Sequence, residues 1–484
     1  MRQLGIESLL LSLLGGLLGL FAGWSASRAL TALAEGAIDL GPLSDAGLDH
    51  RVLAFTLILS CLTALLFGFA PAWQASRIDL QSSVKSHGKG AIGGRGQDRM
   101  RSVLVVGEVA LAVVLLVGAG LLLRTLWNIT AVKLGFQTEN AFTMRTIVFG
   151  SPSERARLTE AILERIESLP RVAAAGTIQF LPLSGHTNQG PFHFVGRSLP
   201  ADPLTMESDV STVSRGYFEA VGMQLLRGRD FGREERIDGP RVALVNQAFV
   251  KKYSPEQDPI GRVILGDWAD PKPTEIVGVV NDIRHNAITA EPRPTIFFAQ
   301  SQVPGYITYF VVRTTADPAS LAAAIRREVR NVDPRQPLTD VQPLAQYVSA
   351  ALARPRLYAN FIGAFASLAV FLAAIGLYGL MAYLVSQRTH EIGLRMALGA
   401  RPRDVLSSTI LQGARLVAAG LALGIAAAMG LSQLVSSLLY GVRPIDPATY
   451  LAAGALLLAV GALAAFVPAR RAAAVDPIVA LRYQ

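Results

Sequence analysis

The side chains that could do chemistry are few and scattered. Six histidines (His50, His87, His186, His193, His285 and His390) show neither paired metal-ligand spacing nor an H-E-x-x-H run. His186 and His193 share a Gly/Pro-containing loop and read as solvated turn residues rather than a metal clasp. Cys61 is the single cysteine. A disulfide framework and a thiolate zinc site are therefore both excluded, and Cys61 reads as a small hydrophobe in an apolar run. Neither a G-x-x-x-x-G-K-S/T phosphate loop nor a G-x-S-x-G nucleophile elbow occurs. Glu108 is the sole acid inside a long apolar stretch, which makes it a functional candidate by default. It stands roughly 9 Å from the inner end of that stretch at a helical rise of about 1.5 Å per residue. Reaching outward or pairing with Arg99 and Arg101 is the plainer role. These residues offer no enzyme active site, no metal site and no cofactor site.

The informative segment is Arg388–Val405 (RTHEIGLRMALGARPRDV), which continues a preceding apolar run as a helix. Glu391 lies four residues before Arg395, the favourable orientation for an ion pair on one helix face. Ile392, Met396 and Gly399 fall on another side. Gly399 suits a left-handed cap, and Pro402 fits the first turn of the next helix. An amphipathic helix ending in a sharp turn suits docking into a partner's groove. A membrane-surface helix with nothing bound satisfies the same pattern.

The surrounding elements explain why so little chemistry is present. The chain has 484 residues, 51% hydrophobic and only 17% charged, against about a quarter charged in average soluble domains. Its mean hydropathy is +0.38. Six stretches are long enough to cross a bilayer, which takes about 20 apolar residues: Ser8–Ser27, Val52–Ser76, Ser102–Leu123, Leu357–Gln387, Leu416–Val442 and Pro447–Ala469. Apart from Glu108 none holds a charge. The first could be a secretory leader, but its apolar run exceeds the usual 7–15 residues.

Charge sets the orientation. Alternate segments (1–7, 77–101, 388–415 and 470–484) hold 15 basic and six acidic residues, a surplus equal to the whole net charge of +9. The positive-inside rule makes these cytoplasmic, both termini included, and puts 124–356 outside. That external segment carries 27 basic and 24 acidic residues, so it advertises no cargo charge. The basic balance is a topology signal and calls for no nucleic-acid partner.

The two ends of the chain repeat each other. Pro71 and Pro468 share an offset of 397 with Asp79 and Asp476, inside FAPA…RIDL and FVPA…AVDP. Gly15, Gly19 and Gly23 have a four-residue spacing that recurs in Gly420 and Gly424, a pattern that lets membrane helices approach closely. Residues 1–81 thus read as the later part of a first repeat unit with two spans, and 82–101 as a cytoplasmic Gly/Ser/basic linker. Residues 102–123 form a span, 124–356 the external domain, and 357–484 a second unit with three spans and the loop 388–415. The repeat is parallel, unlike the inverted repeats of many secondary transporters. The chain is expected to be the tail of a longer duplicated protein, or to start inside one.

Within 124–356, strands are expected at Phe142–Phe149, Val172–Phe180, Ile307–Thr314 and Leu338–Val341, with helices at Ser153–Ser168 and Pro318–Asn331. That gives β-α-β twice, the ferredoxin-like order. The middle, about 182–300, is expected to hold strands Val242–Asn246, Glu275–Val280 and Thr295–Phe298, and helices near Ser214–Val221 and Gln247–Tyr253. The fold class expected is therefore a multi-pass α-helical membrane protein. It has six transmembrane helices and an α+β extracytoplasmic domain: a ferredoxin-like subdomain with an inserted second α+β subdomain.

The loop RTHEIGLRMALGARPRDV resembles the signature of FtsX/MacB-type ABC permeases. Tyr217–Phe231 (YFEAVGMQLLRGRDF), Val242–Gly261 (VALVNQAFVKKYSPEQDPIG) and Glu275–Arg284 (EIVGVVNDIR) resemble the MacB-like periplasmic core domain. The closing Pro468–Arg482 also fits, and the duplication is similar to that of the duplicated orphan permeases. This chain departs from that pattern in lacking most of a first unit. The resemblance implies a permease of the bacterial inner membrane whose ATP is used by a separate cytoplasmic ABC ATPase subunit. It implies that Glu391, Gly393, Arg395, Ala397, Leu398, Gly399 and Ala400 contact that ATPase. Further partners would be a second permease unit (or the missing N-terminal one), membrane lipid and a possible periplasmic protein. Two functions fit: export or extraction of a substrate, or a mechanical scaffold regulating a periplasmic partner without moving solute.

Overall fold

The computed structural model describes residues 10, 12–21, 23–25, 28, 50–64, 94–196, 206–266, 271–315, 318–387 and 401–473. In chain order the helices are α1 (His50–Ala64), α2 (Gly94–Thr130), α3 (Pro152–Glu167), α4 (Tyr217–Val221), α5 (Gln247–Tyr253), α6 (Pro318–Val332), α7 (Leu344–Gln387), α8 (Pro402–Leu434) and α9 (Pro447–Ala473). The strands are β1 (Ala141–Ile147), β2 (Val172–Ile178), β3 (Asn188–Phe194), β4 (Glu207–Val213), β5 (Leu225–Gly228), β6 (Arg241–Asn246), β7 (Val263–Gly266), β8 (Thr274–Val280), β9 (Thr295–Ala299), β10 (Ile307–Thr314) and β11 (Thr339–Pro343). Two compact units divide the chain: Met1–Trp127 with Pro355–Gln484, and Asn128–Arg354.

The first unit is helical. Four of its described helices are long and apolar enough to cross a membrane: Met100–Thr130, Leu344–Ser386, Ser407–Leu434 and Pro447–Arg471. Ser12–Ser25 and His50–Leu62 are shorter apolar helices. The helices extend beyond their expected spans, α7 beginning at Leu344 rather than Leu357. For α8 the sequence pattern starts the span at Leu416, after Arg415, and ends it at Val442. The helix instead begins at Pro402 and ends at Leu434, followed by a 3₁₀ turn over Ser436–Leu438. Arg415 does not interrupt a backbone whose hydrogen bonds are satisfied internally, so a charge marks a boundary of hydrophobicity and not of helix. Along α2 the buried residues Val105, Val109, Val113, Val117 and Leu121 recur every four positions. They pack with Ala373, Leu377 and Leu380 of α7, Val417 of α8, and Ala453 and Leu457 of α9.

The second unit is an α+β domain built on one eleven-stranded sheet. At one end the strands run β11-β1-β10-β2, all antiparallel neighbours. The alternation of β10 shows why both faces must be covered. Phe310 and Val312 pack on one side with Ile162 and Leu163 of α3 and Ile325 of α6. Tyr309 and Val311 turn to the other side, among Tyr217, Phe218, Leu244 and Phe297. Ser151 starts α3 with a capping box, its Oγ receiving Glu154 N–H while Glu154 Oε2 accepts Ser151 N–H at 2.7 Å.

The middle section adds seven strands. β4, β3, β7, β8, β6 and β9 follow one another, and β9 returns to pair in parallel with β4, so the pairing closes into a ring of six, with β5 on β8. Phe192, Phe194, Phe249 and Tyr253 form an aromatic cluster here, with ring centroids 5.0 to 6.2 Å apart. The ring joins the first four strands through the single registered pair Ile178↔Val213. Gln179 N donates to Thr212 O and Ser214 N to Thr177 O, each at 3.0 Å, and the sheet is continuous. The core around Tyr309 and Val311 includes Val242, Leu244 and Phe297, residues from both ends of the sheet.

Candidate functional site

The loop expected to meet an ATPase lies outside the described residues over 388–400, and with it Glu391, Gly393, Arg395, Ala397, Leu398, Gly399 and Ala400. Its exit is described. Arg401 is extended (φ −79°, ψ 144°), Pro402 occupies the first turn of α8, and Asp404 Oδ2 accepts Arg401 N–H at 3.2 Å. Proline lacks the donor that a first turn would leave unpaired, and the carboxylate takes the donor just before it.

The glycine spacings fall in two settings. A Cβ at Gly420 would stand 2.7 Å from Val109 Cβ and 2.9 Å from Val106 O. One at Gly424 would stand 2.6 Å from Val113 Cβ and 2.7 Å from Ala110 O. Here α8 meets the backbone of α2, which only a missing side chain allows. A Cβ at Gly15, Gly19 or Gly23 meets nothing within 4 Å among the described residues, whereas one at Gly16 would run into the Ser60 side chain of α1. The contact in that segment is one residue from the expected spacing.

Glu108 is exposed by area, with its carboxylate lying over Gly376 of α7. A Cβ on Gly376 of α7 would collide with its carboxylate, so glycine makes room for it. Arg101 stacks on the Tyr383 ring with Cζ 3.9 Å from the centroid. Arg471 of α9 donates to Tyr378 Oη at 3.3 Å. Arg124 pairs with Asp446, which also accepts Thr449 N–H at 3.0 Å and Thr449 Oγ1–H at 2.6 Å, capping α9. No cluster of metal-ligating side chains occurs among the described residues.

In the α+β domain several polar residues of the three quoted segments bind groups of their own chain. Asn246 Oδ1 accepts Phe249 N–H at 3.0 Å, capping α5, and Thr295 N–H at 2.9 Å from β9, while its Nδ2 donates to Arg293 O at 2.8 Å. Asn281 Oδ1 accepts Gln224 N–H at 2.7 Å, and its Nδ2 donates to Gly135 O at 2.8 Å. Asp282 accepts Ala248 N–H at 2.8 Å, and burial pushes its carboxyl above the usual range. Arg229 meets the buried Glu235 at 2.7 Å, which raises the guanidinium further, and Glu235 also accepts Gly232 N–H at 2.6 Å.

Two arginines with no motif signal do comparable work. Arg155 is buried without an acid: Nη1 donates to Gly150 O at 2.7 Å, Nε and Nη2 to Pro304 O at 3.3 and 3.1 Å, and the guanidinium lies 4.0 Å from the Tyr306 ring centroid. Arg215 binds Glu167 through two nitrogens at 3.1 Å and Glu160 through Nε at 3.0 Å. Helical spacing puts Glu160 and Glu167 seven residues apart on one face of α3; nothing in the sequence marks Arg215 as their partner.

Comparison with known proteins places these units. The MacB-like periplasmic core domain model matches residues 102–329, and the FtsX-like permease C-terminal model matches 363–477. A macrolide export ATP-binding/permease protein MacB from an Azoarcus species is 25% identical over 78% of this chain and 56% of its own length. That of Agrobacterium fabrum is 26% identical over 57% of this chain and 44% of its own. This chain thus spans about half the length of these relatives. The ABC transporter permease YknZ of Bacillus subtilis is 23% identical over 57% of this chain and 70% of its own. Among solved structures, the periplasmic region of MacB from Actinobacillus actinomycetemcomitans aligns at 13% identity and a TM-score of 0.30, covering 45% of this chain and 93% of that one. The chain is a membrane protein with an extracytoplasmic α+β domain, and it belongs to the FtsX/MacB-type ABC transporter permeases.

Proposed function

We propose that this chain is the permease subunit of a MacB/FtsX-type ABC transporter in a bacterial inner membrane. It couples ATP hydrolysis by a separate cytoplasmic ATPase to conformational work of the extracytoplasmic domain, in the export or extraction of a substrate. The observation that carries this reading is the order of matches in one chain, a MacB-like core domain followed by an FtsX-like permease segment. Six spans are read from the six apolar stretches, and cytoplasmic termini with a periplasmic 124–356 from the basic residues gathered on one side. Residues 1–81 act as part of a further permease unit, and lipid surrounds the spans. Glu391, Gly393, Arg395, Ala397, Leu398, Gly399 and Ala400 make the ATPase contact. Arg395→Glu reverses the charge of that contact without touching the membrane core. In proteoliposomes with its ATPase it is expected to abolish permease-stimulated ATP hydrolysis while the chain still inserts. Wild-type stimulation in that variant would rule the contact out.

A mechanical version is favoured by one observation. Among the described spans Glu108 is the sole acidic residue, so they carry no evident charged relay for a polar cargo. In that version ATP-driven motion of the spans works on a periplasmic partner. Unchanged efflux with lost activity of a periplasmic enzyme in Arg395→Glu would separate it from transport.

A further inference from the structure

The glycine contact between α2 and α8 does not run their full length. Gly420 stands against Val109 and Gly424 against Val113, so the two helices advance side by side in the same direction. Residues four apart share a helix face. The same faces therefore continue with Ala428 and Ser432 on α8 and with Val117 and Leu121 on α2. That stripe of α8 holds no further glycine, and a cavity of about 170 Å³ opens there, lined by all four residues.

The cavity runs from an exposed rim to a buried floor. Leu431, Val435 and Leu438 of its lining are exposed, whereas Val117, Leu121 and Ala428 are buried. Ser432 is the one polar side chain in the lining, and its hydroxyl is already engaged. It donates to Met429 O at 3.1 Å and accepts Tyr450 Oη–H at 3.4 Å. The cavity thus offers water and ions no partner, and a polar guest would lose its hydration without return. Apolar cavities of about 150 Å³ stay dry and admit a hydrocarbon guest. Here the exposed rim belongs to helices apolar and long enough to cross a membrane, so the medium against it is lipid. Lipid tails are as apolar as leucine and lose little by entering. A void left empty would deprive its lining of dispersion partners.

We propose that this cavity holds the end of one acyl chain of a bilayer phospholipid, which passes Leu431, Val435 and Leu438 and reaches Val117, Leu121 and Ala428. The chain fills the gap where the glycine contact stops. The site depends on these helices lying in a membrane and is independent of the ATPase contact.

The test uses the full chain in nanodiscs whose phosphatidylethanolamine carries a photoactivatable diazirine near the methyl end of one chain. After irradiation, mass spectrometry locates the labelled residues. Label is expected on the buried floor, at Leu121 or Ala428, as well as on Leu423, an exposed residue of α8 outside the cavity. Ala428→Leu fills the floor and is expected to abolish label at Leu121 while Leu423 stays labelled. Gly118→Val fills the cavity from α2, where a Cβ makes only an ordinary contact of 3.6 Å with Ile362, and should give the same loss. Label on Leu423 with none on the wild-type floor would overturn the proposal, because protein from another copy or a further segment would then occupy the cavity. Floor label that persists in both folded variants would overturn it too. Label on neither Leu423 nor the floor would refute the membrane placement of α8, and the proposal with it.

Discussion

Replacing Gly424 with alanine tests whether α8 and α2 touch backbone to backbone. Two effects of opposite sign compete. In a helix interior Gly→Ala gains about 0.8–1 kcal/mol of propensity. Against that, the new Cβ would stand 2.6 Å from Val113 Cβ and 2.7 Å from Ala110 O. Unbonded carbons settle at roughly 3.5–4.0 Å, so α8 would have to retreat by about 1 Å. The backbone oxygen cannot rotate aside as a side chain could. Such overpacking costs about 1–3 kcal/mol. Retreat would also loosen Gly420, whose own clearance to Val109 is equally short. The net expectation is a loss of about 1 kcal/mol. Gly379 of α7 supplies the comparison, because a Cβ there meets nothing within 4 Å among the described residues. Gly379→Ala is therefore expected to gain up to about 1 kcal/mol from propensity alone. Reversible unfolding of the purified chain in mixed micelles, followed by tryptophan fluorescence, measures both. Equal shifts of the same sign in the two variants would refute the close approach.

Other perturbations probe the α+β domain and the helix caps. Tyr217 is fully buried with its hydroxyl unpartnered, and burial raises its ionisation out of reach, so Tyr217→Phe is expected to hold or raise stability by about 1 kcal/mol in thermal unfolding. Arg155→Met removes the donors to Gly150 O and Pro304 O and the stacking on Tyr306, and should cost about 3 kcal/mol by the same measurement. Burial pulls the His285 imidazole down to about 4, from the usual 6.5. Between those values the unfolded chain binds the extra proton, so stability is full above about pH 6.5 and falls by up to about 3 kcal/mol toward pH 4. His285→Gln should flatten that slope in unfolding curves recorded from pH 7 to 4. Asp446→Ala removes the cap of α9 and the partner of Arg124, and should lower stability by about 1 kcal/mol.

How far the domain was legible depended on what each strand buries. β10 runs Ile307–Thr314, as its apolar run indicates, and α5 runs Gln247–Tyr253 where helical spacing puts it. Both carry large apolar side chains at the spacing their faces require. β3, β4, β5 and β7 were not anticipated. β3 contains Gly190 and Pro191, ordinarily turn residues. β4 reads Glu-Ser-Asp-Val-Ser-Thr-Val, yet Ser208, Asp209, Ser211 and Thr212 are buried. Ser208 finds a long-range partner in Pro294 O, which accepts its Oγ–H at 2.9 Å, whereas the Ser211 hydroxyl has no hydrogen-bond partner among the described residues. No local period reports a partner 86 residues away. β5 and β7 have four residues each, too short for alternation to register.

The site divides along the same line, and the division has a physical cause. Asn246, Asn281 and Asp282 stand out because each ties distant segments together through backbone groups, whereas Arg229 and Glu235 pair within one loop. That demand occupies the Asn246 and Asn281 amides with the chain's own backbone. A group already saturated by its own chain has no capacity left for a ligand. In the helical unit, too, α2 spends its small and branched residues on packing, Val109 and Val113 against two glycines, and keeps its ionisable Glu108 against a third. Residues that identify a fold and residues free to act on something else are thus expected to be different sets.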